Sequence, residues 1–217
     1  MRVLELFSGT GILSETARAL GHETFTVDLS TEADLRADIL SLEAPALLAL
    51  TGWDSVDMVW ASPPCNGFSI ASVGKMWNNE SGVYTPKHRT AELGFKLLRH
   101  TLHLIETLNP RAWFIENPRG MMRKMPEMVA LEDQRQTVTF CQYGETRMKP
   151  TDIWSSRGAG WTARPVCKNG DPCHVAAPRG SRTGTQGLPN AALRAKLPYE
   201  LCVEVLNAAN KGVRHGD

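Results

Sequence analysis

The strongest constraint on this chain lies in its first twenty residues. Arg2-Val3-Leu4-Glu5-Leu6-Phe7 is an apolar run of strand length, Ser8-Gly9-Thr10-Gly11 is a turn, and Ile12 to Leu20 carries apolar residues at helical spacing. A strand feeding a glycine turn and then a helix predicts a parallel sheet covered by helices. The pattern continues with a strand over Glu23 to Val27 ending in Asp28, a helix over Leu42 to Leu50, and a strand over Val56 to Ala61. Thr90 to Leu108 reads as a long amphipathic helix closed by Asn109-Pro110, and Arg111 to Ile115 as a buried strand running into Glu116-Asn117-Pro118.

Beyond residue 130 the rhythm changes. Gln136 to Cys141 and Thr151 to Ser155 read as strands whose connection is too short for a crossover helix, so an antiparallel hairpin is expected. Residues 157–190 are rich in Gly, Pro, Arg and Thr without periodicity, and a last helix over Tyr199 to Asn210 is expected to pack back on the sheet. The expected fold is α/β and Rossmann-like: a mostly parallel twisted sheet with a C-terminal antiparallel hairpin and helices on both faces. Residues 1–156 are expected to form the core, 157–190 a small loop-rich insert, and 191–217 a C-terminal helical segment.

Three strand ends carry candidate chemistry. The glycine turn allows close backbone approach to a nucleotide-like ligand, although two glycines also suit a purely steric turn. Asp28 lies 17 residues beyond Gly11, close to the ~20-residue spacing at which a carboxylate meets ribose hydroxyls, or else it caps the following turn. Asp38 can accept from an adenine amino group or simply face solvent. In Ser62-Pro63-Pro64-Cys65, two fixed φ angles project a thiol from the carboxyl edge of the sheet, the place for a nucleophile. Glu116 closes another buried strand on the same expected edge, where an apolar setting raises its pKa and lets it hydrogen-bond or protonate a ring nitrogen, or else it makes a turn or loop contact.

Taken together, Glu5-Leu6-Phe7-Ser8-Gly9-Thr10-Gly11, Ser62-Pro63-Pro64-Cys65-Asn66-Gly67-Phe68-Ser69 and Glu116-Asn117-Pro118, in this order, resemble the cytosine-5 DNA methyltransferases over residues 1–155. The resemblance implies S-adenosylmethionine as cofactor. Phe7, Ser8, Gly9 and Gly11 would cradle its amino-acid end, Asp28 its ribose, and Asp38 with Ile39 its adenine; Thr10, Ile12, Leu29 and Pro63 are further expected cofactor-binding residues. It further implies a flipped cytosine attacked at carbon 6 by Cys65, with Glu116 on ring nitrogen 3 and the exocyclic amine. Arg147, Lys149 and Thr151 stand where the family has a Gln-x-Arg-x-Arg element, and Arg147 is taken to contact the base or favour the thiolate. The chain departs from the family at Asn66, at Pro118, and at Leu197-Pro198-Tyr199-Glu200, which replaces a Gly-Asn-Ser element. Its insert is far smaller than a usual target-recognition domain. An RNA cytosine-5 methyltransferase of the same fold, or an inactive nucleic-acid-binding relative, remains the alternative.

Charge and composition agree with this reading. Residues 147–217 carry 11 Lys and Arg against 5 Asp and Glu, so the C-terminal third is the expected face toward DNA, taken to be double-stranded. No apolar run reaches membrane-spanning length, and a cytoplasmic protein without membrane contact is expected; oligomeric state is not legible. The five scattered cysteines argue against a disulfide framework. Cys167, Cys173 and His174, with Cys141 nearby in sequence, are zinc-ligand types, but their spacing fits no common zinc knuckle. Locally packed thiols are the simpler account, and no metal is expected.

Overall fold

A computed structural model describes residues 1–29, 32–69, 73–176 and 190–214. Its main sheet contains β1 (Arg2–Leu6), β2 (Glu23–Asp28), β3 (Leu35–Arg36), β4 (Met58–Ala61), β7 (Ala112–Pro118), β8 (Arg135–Thr139) and β9 (Pro150–Ser155) in the order β3-β2-β1-β4-β7-β9-β8. Pairings β1 with β2, β1 with β4, β2 with β3, and β4 with β7 are parallel; β9 runs antiparallel to both β7 and β8. The expected hairpin is therefore present, with β9 inserted between β7 and β8. A separate hairpin of β5 (Trp77–Glu80) and β6 (Val83–Pro86), absent from the sequence expectation, precedes the long helix.

Both faces of the sheet are covered, and the side-chain alternation of the strands divides the core in two. Leu4, Leu6, Val59, Ala61, Ile115 and Trp154 point to one layer, packed with α2 (Ala44–Thr51) and α4 (Arg89–Leu108). Val3, Met58, Trp60, Phe114 and Ile153 point to the other, under α1 (Ile12–Ala19) and α7 (Tyr199–Arg214). This two-sided burial is why the central strands read as near-continuous apolar runs. Helix α4 buries Ala91, Gly94, Leu97, Leu98, Thr101, Leu104, Ile105 and Leu108, the i, i+3, i+4, i+7 stripe of one face. It starts where His88 Nδ1 accepts from the Thr90 amide and stops at Asn109, left-handed at φ 44°, before Pro110.

The start of α4 and the β5–β6 hairpin clamp the turn that carries Cys65. The Trp77 ring stacks on Phe68 at 5.9 Å and its indole N–H donates to the Gly67 carbonyl at 2.7 Å. A Cβ on Gly67 would meet the Thr90 carbonyl oxygen at 2.8 Å and the Ala91 Cα at 3.1 Å, whereas one on Gly94 would crowd the Phe68 ring at 3.2 Å and reach backbone, the Gly67 Cα, only at an ordinary 3.8 Å. Backbone cannot yield as a ring can. Gly67→Ala is expected to cost roughly 1–3 kcal/mol in chemical denaturation, by overpacking, and Gly94→Ala less. Equal stabilities for Gly67→Ala and the parent would remove the close-packing account of this turn.

Candidate active site

The carboxyl ends of β1, β2, β4 and β7 open on one cavity of about 800 Å³. At its β1 end the chain leaves the strand at Phe7 with φ 58°, a left-handed conformation that costs a non-glycine residue about 1–3 kcal/mol and marks a backbone held for a purpose. Gly9 and Gly11 follow at φ 53° and 69°, where a side chain would be strained. The Ser8 amide donates to the Val27 carbonyl at 3.2 Å, and the Gly9 amide donates to Asp28 Oδ2 at 3.1 Å. The glycine turn and Asp28 thus form one shelf. Leu29 extends it as an apolar side chain 62% exposed.

The reaction end is built from β4 and β7. Pro63 and Pro64 carry the chain out of β4, and Cys65 begins a 3-10 turn over Cys65–Phe68 with its thiol exposed to the cavity. The Asn117 side-chain amide donates to the Pro63 carbonyl at 2.8 Å, tying the two strand ends together. Glu116, beside it on β7, is 5% exposed, and its Oε1 has no hydrogen-bond partner among the described residues. Burial raises the Glu116 carboxyl above its ordinary range, while the Lys149 ammonium and the Ser62 hydroxyl pull it back down. Burial and the Glu116 carboxylate push the Cys65 thiol up, and Lys149 then Arg194 oppose them. Lys149, itself lowered by burial, is the cation between the two. Its ammonium lies 4.3 Å from the centroid of the Phe140 ring.

Of the residues singled out in the sequence, the cavity brings together Phe7, Ser8, Gly9, Thr10, Ile12, Asp28, Leu29, Pro63, Cys65 and Glu116. Gly11 faces an adjoining polar hollow of about 420 Å³ instead. Asp38 and Ile39 do not line the cavity. The Asp38 carboxylate accepts from the Leu40 amide at 3.0 Å to cap a short turn, and Ile39 is in the core. Arg147 is likewise elsewhere: its guanidinium donates to the carbonyls of Leu193, Arg194 and Lys196 at 2.9, 3.2 and 3.3 Å and pairs with Glu145. That clasp holds the segment whose Arg194, Ala195 and Leu197 form a further wall of the cavity. The cation with the largest effect on Cys65 is Lys149, two residues on, followed by Arg194. The wall from residues 194–197 carries no motif, so only the fold reveals it.

Glu5 is a second residue that sequence reasoning passed over. It lies 3% exposed on β1 at the cavity floor, where one oxygen accepts from both the amide and the hydroxyl of Ser14, at 3.0 and 2.5 Å. Desolvation outweighs those bonds and pushes its carboxyl up to about 7.

An open-edge cavity over a mostly parallel sheet, with a glycine turn tied to Asp28 at one end and a thiol, a buried carboxyl group and an ammonium at the other, is the arrangement of a Rossmann-like fold with a ligand site at its carboxyl edge. Residues 1–144 match the C-5 cytosine-specific DNA methylase family, and the chain belongs to it. A relative in Frog virus 3 (isolate Goorha), described as a probable DNA (cytosine-5)-methyltransferase, is 28% identical over 222 residues, covering 95% of this chain and 99% of its own. Among solved structures, a chain described as a putative DNA modification methyltransferase encoded within an E. coli prophage aligns with TM-score 0.53 at 18% identity, over 71% of this chain and 46% of its own. The Entamoeba histolytica methyltransferase EhMeth aligns with TM-score 0.52 at 15% identity, over 71% and 52%. These two share the fold, and the chain spans about half their length. Membership makes the chain a DNA cytosine-5 methyltransferase by class, with S-adenosylmethionine as the methyl donor.

Two outcomes test this electrostatic arrangement. Between pH 4.5 and about 7 the unfolded chain ionises Glu5 while the folded one keeps it protonated, so folding loses stability as pH rises across that window and the loss is constant above it. Glu5→Gln, which still accepts from Ser14, should match the parent at pH 4.5 and exceed it by up to roughly 3 kcal/mol at pH 8. A constant difference at all pH values would exclude an ionising Glu5. Lys149→Met removes the stronger of the two cations, Lys149 and Arg194, that lower the Cys65 thiol, so alkylation of Cys65 by iodoacetamide at pH 8, followed by peptide mass spectrometry, should slow several-fold, up to about tenfold. An unchanged rate would separate Lys149 from the thiol.

Proposed function

We propose that Cys65 is the nucleophile and Glu116 the acid of a DNA (cytosine-5)-methyltransferase that acts on a cytosine swung out of duplex DNA. The observation that carries this is the single cavity holding Cys65, Glu116 and Lys149 at one end and the Gly9–Asp28 shelf at the other. The unpartnered Oε1 of Glu116 supports it further, since a buried carboxyl oxygen without a donor is costly unless a ligand completes it. A protonated Glu116 donates to ring nitrogen 3 and an ionised one accepts from the exocyclic amine, so its raised pKa suits both partners on that base edge.

The Cys65 sulfur adds to carbon 6 as Glu116 holds or delivers the proton at nitrogen 3, which makes carbon 5 electron-rich. S-adenosylmethionine supplies the methyl group as an activated sulfonium. Loss of the carbon 5 proton then lets the bond to Cys65 break, returning the thiolate and the aromatic ring. Lys149 compensates the anionic sulfur at both ends of the cycle. Gly9, through its tie to Asp28, and Leu29 suit the sugar end of the donor; Phe7, Ser8, Thr10 and Ile12 suit its amino-acid end. The basic C-terminal third supplies charge for the phosphate backbone.

A duplex carrying 5-fluorocytosine has no removable carbon 5 proton and should trap the protein covalently in the presence of S-adenosylmethionine. Cys65→Ser should form no adduct, and Glu116→Gln should form it slower by about 10²–10⁴-fold, the usual worth of a general acid. A normal adduct with Cys65→Ser, or none with the parent on any sequence of a random duplex pool, would sink the assignment.

A further inference from the structure

Away from the cavity, the chain gathers four soft ligands at one point. Cys141 sits on the 3-10 turn Phe140–Tyr143 that follows β8, while Cys167, Cys173 and His174 come from the irregular segment after β9. Their three Sγ atoms and one imidazole nitrogen all lie within 4.8 Å of one another. Cys141 Sγ is 3.1 Å from Cys167 Sγ and 3.6 Å from Cys173 Sγ; His174 Nδ1 is 3.7 Å from Cys167 Sγ and 3.5 Å from Cys173 Sγ. An ion about 2.3 Å from sulfur and 2.0–2.1 Å from nitrogen at the centre of a tetrahedron implies edges of about 3.5–3.8 Å. Three of the four measured edges fall at that length, and the fourth is far beyond the ~2.05 Å of a disulfide.

We propose that Cys141, Cys167, Cys173 and His174 bind one structural Zn²⁺. This departs from the expectation of locally packed thiols without a metal, and the physical reason is that the fold closes a long chain excursion that spacing alone cannot show. Three thiolates and one imidazole in a tetrahedron select zinc over magnesium or calcium, which take oxygen ligands. The nearby carboxylate of Asp171 is turned to the Lys168 amide at 2.7 Å. Four protein ligands leave no open position for a substrate, so the ion is structural. One outer contact fits sulfur carrying negative charge: the Gln142 side-chain amide donates toward Cys173 Sγ at 3.4 Å. The Cys167 backbone amide donates to Thr139 Oγ1 at 3.1 Å, which fixes where its side chain starts. The ion joins the connection between β8 and β9, which carries Arg147 and Lys149, to residues 167–174 of the insert. It thereby does for a small irregular segment what a core does for a larger one.

The full chain, purified without chelator, is expected to contain about one zinc per molecule by elemental mass spectrometry, with a mercurial releasing it to a zinc-sensitive dye. Cys173→Ser and His174→Gln alter exposed or half-exposed positions, so the chain should remain folded by circular dichroism while zinc content falls at least about tenfold. Cys65→Ser should retain it. Replacing zinc with Co²⁺ should give the visible absorption of tetrahedral cobalt–thiolate, lost in Cys173→Ser. Folded protein that takes up neither metal would overturn the proposal. So would undiminished zinc in Cys173→Ser, or an intact mass showing a Cys141–Cys167 disulfide.

Discussion

A buried carboxyl group and a half-buried ammonium at one sheet edge govern this molecule. Glu116 is placed by β7, whose direction carries the chain into the cavity edge. An uncompensated charge there would cost several kcal/mol, so a cation must reach the same edge. It does because β9 is antiparallel. Pairing of Pro118 with Thr151 sets the start of β9 against the end of β7, and Lys149, two residues before Thr151, arrives beside Glu116. A parallel β9 would have delivered that residue to the opposite edge. The reversal of β9 against β7 therefore supplies a charge that acts on both the Glu116 carboxyl group and the Cys65 thiol.

The same edge couples two halves that are distant in sequence. Asn117, next to Glu116, holds Pro63, and Pro63 and Pro64 fix where Cys65 can go. On the other side the Ser62 amide donates to the Leu6 carbonyl at 3.2 Å, so the nucleophile loop also leans on the strand that opens into the glycine turn. Cofactor shelf and nucleophile share this backbone frame, as a transfer reaction requires if two ligands are to meet within about 3–3.5 Å.

Periodicity and turn chemistry made the frame legible from residues alone. The apolar runs ending in Phe7, Ala61 and Glu116 are strands with both faces buried, and a strand end is where a motif must act. What was not legible depends on three-dimensional closure. Arg147 looked like the functional cation because an arginine holds planar partners better than a lysine does, yet those planar partners are backbone carbonyls of residues 193–196, and the shorter reach into the cavity falls to Lys149. Asp38 has accepting chemistry, and its Oδ1 takes a backbone amide two residues away to cap a short turn, a local bond that no motif announces. The β5–β6 hairpin escaped notice because its four-residue strands carry one anchoring side chain, Trp77, with no alternation to reveal them.

Compactness changes how the segment beyond β9 can be held. Residues 157–176 contain only one short 3-10 turn, Arg157–Ala159, and few apolar residues, so packing alone cannot offset the entropy of ordering them. Polar hubs take that role. Arg164 donates to Glu204 at 2.7 Å and Glu200 at 2.6 Å on α7, lies 4.6 Å from the centroid of the Tyr143 ring, and its amide donates to the Tyr143 hydroxyl at 2.9 Å. Exposed ion pairs of this kind contribute little one at a time, so a network centred on one guanidinium serves better than scattered pairs. The Cys141–His174 cluster clips the far end of the same segment, and Arg147 clasps residues 193–196 from the adjoining loop. Tyr143, Cys141 and Arg147 thus all lie between β8 and β9. The short connection that delivers Lys149 to the reaction is also the post to which the insert and the outer wall of the cavity are fastened, so loosening the insert and disturbing the active-site charge are physically one event.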